Sequence, residues 1–300
     1  NSCALVVRPN SPKHFLDGKR ILLSNEENSL KLALEENMAA EIQHRFSRTE
    51  LLIGKEGLER LYSAKVAVIG LGGVGSYTVE ALTRGGVGRL VLVDFDEVCL
   101  TNTNRQIHAV TGNYGRSKTD VMTERVKSIN PQAEVLPINE FLNSENLSQL
   151  INGGISYVAD AIDTVWSKVA LIEYCVKNKI PIISSMGTGN KFNPVAFRID
   201  DISKTHTCPL AKAVRKSLRE KGITKGVKVV YSPEPPVESR SDVLTCHNGC
   251  ICPQHGEGQD WNCAKRRKIP GSMPYLPPIS GLIMAGAIIQ DLLKVETIVE

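Results

Sequence analysis

The turn Gly70-Leu-Gly-Gly-Val-Gly75 follows the apolar, β-branched run Val66–Ile69, and the next apolar run, Leu90–Val93, ends on Asp94. A glycine-rich turn between a strand and a helix offers bare backbone N–H groups and a helix N-terminus to a phosphate. An acid closing the second strand is placed for a ribose hydroxyl. Gly70, Gly72 and Gly75 fit the G-x-G-x-x-G spacing, with Gly73 extra. Taken alone, the pattern predicts a dinucleotide such as NAD, against the plainer reading of a tight βα turn.

The residues downstream point to different chemistry. Asp96 follows at once, then Thr101-Asn102-Thr103-Asn104-Arg105-Gln106, then Lys118, then Asp160-Ala161-Ile162-Asp163. Singly, Arg105 and Lys118 read as solvated surface charge. A hydride-transfer site has no need of an Arg and a Lys near the phosphate end of its nucleotide. A triphosphate does need cations, with a carboxylate to hold metal.

On these motifs the chain resembles the E1-like adenylating superfamily, which includes ubiquitin-activating enzymes and the bacterial adenylating enzymes of thiamine and molybdopterin synthesis. The marks are Arg45-Phe-Ser-Arg48, Gly70-Leu-Gly-Gly-Val-Gly75, Asp94-Phe-Asp96, Asn102-Thr-Asn-Arg-Gln106, the isolated Lys118 and Asp163. The resemblance runs from about residue 45 to residue 185. Within the superfamily the sequence is most similar to the branch of tRNA threonylcarbamoyladenosine dehydratases, through Asp96–Ala109, Ser156–Asp163, Asn178-Lys-Ile-Pro181 and the Pro209-Leu-Ala-Lys212 helix. That similarity reaches about Tyr231 and resumes near 271–283.

The resemblance implies an ATP site. Gly70, Gly72, Gly73 and Gly75 would form the turn at the phosphates, with Asp94 on the ribose and Asp96 beside it. Arg105 and Lys118 would neutralise phosphate charge, Asn102 would support the polar wall, and Asp163 would hold Mg²⁺. Arg48 matches an arginine that reaches into a neighbouring protomer's site, implying a homodimer, although either Arg45 or Arg48 could instead cap local structure. The implied reaction adenylates the carboxylate of a threonylcarbamoyl group in tRNA and closes a ring with net loss of water. One alternative is an adenylyltransferase acting on the C-terminus of a ubiquitin-like or sulfur-carrier protein. Another is an NAD- or nucleotide-binding module without adenylation.

Other reactive residues lie outside this set. Cys246, Cys250, Cys252 and Cys263, with His247 and His255, could hold structural Zn²⁺, but the chain contains no Cys-x-x-Cys pair and its irregular spacing disfavours a tetrahedral site. Cys208 and Cys263 are candidate thioester nucleophiles, although ring closure needs none, because the attacking nitrogen is already on the substrate. Lys212, Arg215, Lys216 and Arg219 share one face of an amphipathic helix, a stripe suited to an RNA backbone or to plain solvation. Lys265-Arg-Arg-Lys268 is a second basic run.

The elements that must position these residues follow from periodicity. Apolar runs at 66–69, 90–93, 134–138, 157–159 and 181–185 alternate with helical patterns ending near Arg84 and covering about 117–129 and 165–178. That alternation predicts a Rossmann-like, doubly wound, mostly parallel α/β sheet. Ahead of it, 26–42 and 51–61 predict helices. After it, strands at 195–199 and 227–231 flank a helix over 209–221, giving a C-terminal α/β extension. The expected organisation is an N-terminal helical segment (1–62), the ATP-binding domain (63–231), a Cys/Pro-rich loop or crossover (232–278) and a closing helix (279–300).

The 300 residues are 42% hydrophobic, enough for a large core. No uninterrupted apolar run reaches the length of a spanning helix, so 279–289 reads as a buried helix and no membrane segment is expected. A net charge of +4 is too small to establish a polyanion partner alone. Eight scattered cysteines do not form a disulfide framework and favour a reducing, cytoplasmic setting. Because the sequence opens on Asn1, an organellar or membrane-targeting segment could precede it.

Overall fold

In the computed structural model, residues 43–151, 153–238 and 270–295 are described. The helix expected over 26–42 and the Cys/His cluster from Cys246 to Cys263 lie outside them, as does Lys265–Lys268. The chain from Arg45 to Glu300 forms one unit around a single sheet.

Its central strand β1 (Lys65–Ile69) alternates Val66 and Val68 toward one apolar layer with Ala67 and Ile69 toward the other. Both faces are therefore buried, as a parallel strand requires. β2 (Arg89–Val93), β3 (Glu134–Ile138), β4 (Tyr157–Asp160), β5 (Ile182–Ser185), β6 (Arg198–Asp201) and β7 (Lys228–Tyr231) complete a seven-stranded sheet in the order β3-β2-β1-β4-β5-β7-β6. Every pairing is parallel except β6 with β7. The expected Rossmann-like α/β fold is what the chain forms.

Helices cover both faces. On one lie α1 (Ser47–Ser63), α2 (Gly75–Gly85), α3 (Lys118–Ile129) and α7 (Leu276–Leu293), and on the other α5 (Val165–Lys177) and α6 (Pro209–Glu220), with the short α4 (Leu147–Leu150) in the β3–β4 crossover. The connections diverge on either side of β1, which leaves a crevice between the C-terminal ends of β1 and β4. In such sheets that is where ligands bind.

Three boundaries differ from the sequence expectation. The strand expected at 195–199 begins only at Arg198, because Pro194 opens a 3-10 turn whose Val195 N–H is capped by the Asn193 side chain. α1 starts earlier than expected, at Ser47, and breaks at Gly54, whose φ of 71° is left-handed. α7 starts at Leu276 rather than 279, since Pro277 and Pro278 fall in the first turn, where no N–H is needed. α7 has the length and hydropathy of a membrane span, but half of it is buried and it packs along α2 on the sheet.

Two buried polar features carry testable energies. Lys168 and Asp160 are fully buried; the ammonium donates to Asp160 Oδ2 at 2.7 Å, Ser184 Oγ at 3.0 Å and the Ser185 carbonyl at 3.0 Å. Asp160 also accepts from Ser184 Oγ and from the Ile162 N–H, so the pair fixes the turn leading to Asp163. Removing one partner of such a pair strands a buried charge. Lys168→Ala is expected to lower unfolding free energy by about 3–5 kcal/mol in urea titration; a loss under about 1 kcal/mol would contradict the arrangement.

His108 is 2% exposed, and neither ring nitrogen has a partner among the described residues. Burial, then the charges of Lys118 and Arg125, push its pKa from 6.5 down to about 3. Between those values the unfolded chain binds a proton that the folded chain refuses, so this stability is present above pH 6.5 and is lost as pH falls toward 3. On going from pH 7 to pH 5 the native protein should lose about 2 kcal/mol more than His108→Leu does. Equal losses in urea titrations at the two pH values would refute the assignment.

Candidate nucleotide-binding site

The crevice is built by the backbone first. Gly70 leaves β1 with φ +89°, and a Cβ there would stand 2.9 Å from the Ala161 carbonyl oxygen, so neither conformation nor space admits a side chain. The Gly70 N–H extends the β1–β2 ladder to Val93 O, and the Ala161 N–H reaches Ile69 O. At Gly72 the nearest heavy atom to an added Cβ is Gln106 Nε2, at 3.9 Å. That open face lets a ligand approach the peptide backbone. Gly73 completes the turn and Gly75 is the first residue of α2, whose N-terminal N–H groups and dipole favour an anion.

Asp94 is 8% exposed and binds the turn directly, its Oδ2 accepting from the Leu71 N–H at 2.5 Å and its Oδ1 from the Asp96 N–H at 2.8 Å. Lys118, the first residue of α3 and 4% exposed, places its ammonium 2.6 Å from Asp96 Oδ2 and 3.7 Å from Asp94 Oδ1. Burial opposes the charge on Lys118, but Asp94 and Asp96 outweigh it and the pKa stands above its ordinary value. A fixed ammonium therefore sits beside the glycine turn. Burial pushes the Asp94 carboxyl up, and Lys118 and the two N–H donors act against that.

Arg105 follows a 3-10 turn (Leu100–Asn102) that Asn102 secures, its side-chain oxygen accepting from the Cys99 N–H at 3.0 Å. The Arg105 guanidinium donates to Thr101 O at 2.9 Å and Asn104 Oδ1 at 3.0 Å, which aims it before any ligand arrives. Burial lowers its pKa, opposed by Cys99 and then Asp163. Asp163 is exposed just past β4, and its field reaches both Arg105 and Lys118. Glycine turn, two cations and one accessible carboxylate thus share a single crevice.

Arg48 is not among them. It is exposed in the first turn of α1, beside Phe46, which packs near Gly86 at the C-terminal cap of α2. The 11-residue α2 puts roughly 16 Å of helix between that point and the glycine turn.

On α6, Lys212, Lys216 and Arg219 are exposed, whereas Arg215 donates to the Thr205 carbonyl at 2.7 Å and its hydroxyl at 2.5 Å and pins the preceding loop. The exposed basic face is therefore narrower than the sequence stripe. Cys208, at the N-cap of α6, is 2% exposed, which does not suit a thioester nucleophile as it stands.

Gln106 and His108 are polar residues of this region that the sequence reading did not single out. Gln106 is 6% exposed, flanks the open face of Gly72, and its Oε1 has no partner among the described residues. A buried amide oxygen left unpaired commonly marks a place filled by ligand or ordered water. Its position inside the Asn102–Gln106 motif was the one available signal.

The three-His/Cys/Asp/Glu arrangement of a protein-held metal centre is absent among the described residues. A single exposed carboxylate oxygen donor such as Asp163 does fit Mg²⁺, which keeps its waters and takes most remaining ligands from nucleotide phosphates.

Comparison with known proteins agrees with this geometry. The chain is 48% identical over 252 residues to the tRNA threonylcarbamoyladenosine dehydratase of Bacillus subtilis, covering 84% of this chain and 95% of that one. Among solved structures, the Escherichia coli tRNA N6-threonylcarbamoyladenosine dehydratase in complex with AMP superposes with a TM-score of 0.72 at 35% identity, over 83% of this chain and 94% of that one. The same enzyme in complex with ATP gives 0.70 at 34% identity, with the same coverage. Residues 46–299 match the ThiF family, and with relatives this similar along nearly their whole length the chain belongs to it.

Proposed function

We propose that this chain is an ATP-dependent tRNA threonylcarbamoyladenosine dehydratase. The observation that carries the reading is the crevice in which Lys118 and Arg105 face a glycine turn open at Gly72, joined to 48% identity with a relative of that name. The turn and the α2 N-terminus bind phosphates, and Asp94 holds the ribose. Arg105 and Lys118 offset the repulsion between a substrate carboxylate and the α-phosphate. Asp163 would hold Mg²⁺, which would supply further charge neutralisation on the phosphates.

The carboxylate oxygen forms a bond to the α-phosphorus as the bond to pyrophosphate breaks, giving an acyl-adenylate. A nitrogen of the same threonylcarbamoyl group then attacks the acyl carbon. AMP leaves with the former carboxylate oxygen, and the nitrogen's proton passes to solvent. From the ionised carboxylate one oxygen and one proton are lost overall, which equals one water counted from the free acid.

A homodimer completes the site in this reading. Arg48, on α1, lies beside the far end of α2 from its own glycine turn, and the adjacent Leu51 and Leu52 are 86% and 87% exposed, as suits a face covered by a second copy. Lys212, Lys216 and Arg219 provide phosphate-backbone contacts for the tRNA.

Pyrophosphate release is expected with tRNA carrying threonylcarbamoyladenosine and not with a sulfur-carrier protein; release driven only by the protein would overturn the substrate assignment. Saturable binding of NAD in place of ATP would overturn the adenylation reading itself. Lys118→Ala and Arg105→Ala should each lower kcat/KM about 100-fold or more, as removal of one fixed donor to developing charge does. Mixing equal amounts of inactive Arg48→Ala and Lys118→Ala proteins should restore about a quarter of the sites, since a mixed dimer rebuilds one intact site. No recovery despite demonstrated subunit exchange would place Arg48 elsewhere.

A further inference from the structure

Three aromatic side chains stand at the C-terminal exits of β2, β3 and β4, the edge of the sheet that holds the nucleotide crevice. Phe95, between Asp94 and Asp96, meets Phe141 edge-on with ring centroids 4.9 Å apart, and Phe141 meets Trp166 at 5.2 Å. Trp166 lies in the first turn of α5, three residues after Asp163, and is 41% exposed. An indole so far open to solvent is normally free to change rotamer. Here the two rings behind it hold it in place.

We propose that Trp166 is a stacking platform for the purine base that carries the reacting carboxylate in the RNA. This rests on the tRNA reading above. The carboxylate must reach the α-phosphate within the field of Arg105, Lys118 and Asp163, and only a carbamoyl group and one carbon link it to the base. That arm spans about 6 Å by ordinary bond lengths. The base is therefore confined to the immediate rim of the crevice, and Trp166 lies only three residues beyond Asp163, in the first turn of α5.

A base presented to an active site is unstacked from its neighbours and needs a new partner for its face, which aromatic side chains supply. The surroundings suit RNA. α6 packs beside α5 and starts at the same edge of the sheet, below the β5 exit, with Lys212, Lys216 and Arg219 exposed along it. Phe95 directly follows Asp94, and Trp166 stands at the other end of the ladder, three residues past Asp163.

The chain contains two tryptophans, so Trp261→Phe leaves Trp166 as the sole indole reporter. Its fluorescence should be quenched by tRNA carrying threonylcarbamoyladenosine and left unchanged by ATP alone. In the full chain, Trp166→Ala should raise KM for that tRNA about 10-fold or more, with KM for ATP within about twofold, and Trp166→Phe should recover most of the loss. Quenching by ATP alone would assign the platform to the cofactor's adenine and overturn the proposal. So would an unchanged KM for tRNA in Trp166→Ala, or equal impairment in both variants. If the unsubstituted chain leaves the modified tRNA unaltered, the dehydratase reading fails and takes the platform with it; an active parent with an indifferent Trp166→Ala sinks the platform alone.

Discussion

The site depends on one buried ammonium. Lys118 is almost wholly removed from solvent, and its charge persists there because Asp96 at 2.6 Å and Asp94 at 3.7 Å face it. Asp94 in turn holds the glycine turn through the Leu71 N–H. One ion cluster thus couples the first turn of α3, the exit of β2 and the turn after β1. A buried charge of this kind costs more than it returns unless every partner is in place. That cost makes the cluster a poor stabiliser of the fold and a good way to fix a cation beside the glycine turn.

The remaining machinery is positioned by similar local devices. Asn102 fastens the turn ahead of Arg105, and Thr101 and Asn104 aim the guanidinium. Asn104 also donates to the Ser272 carbonyl at 2.9 Å, tying the arginine loop to the segment that enters α7. Asn190 receives both ends of the long connection before that segment: its backbone carbonyl accepts from the Val237 N–H, while its side-chain oxygen accepts from the Gly271 N–H. Val237 and Gly271 are therefore held at the same residue. On the opposite face, the Lys168–Asp160 pair does for the Asp163 turn what Lys118 does for the glycine turn.

Much of this was legible in the sequence because the signals were local. The strand at 66–69, the glycine spacing and Asp94 identify a nucleotide crevice from adjacent residues, and the sheet that forms carries them where expected. Arg105, Lys118 and Asp163 carry no periodic signal; together they suggested a triphosphate, while their separate roles came from the resemblance, and the fold brings them into one electrostatic neighbourhood. Lys168, Gln106 and His108 were not read because burial of a lone polar residue is decided by tertiary packing. A lysine among Val169, Leu171 and Ile172 was nevertheless a hint. Arg215 shows the reverse error, a helical stripe read as one surface although one member is turned inward to Thr205.

In the proposed reaction the oxygen lost from the modified base leaves on AMP, because the substrate carboxylate attacks the α-phosphate. The direct measurement is to label that carboxylate with heavy oxygen in the tRNA, run a single turnover with ATP, and weigh the nucleotide products. The expected products are AMP with one labelled phosphate oxygen and unlabelled pyrophosphate. Unlabelled AMP, or label in inorganic phosphate alongside ADP, would show that activation occurs elsewhere and would contradict the proposed reaction.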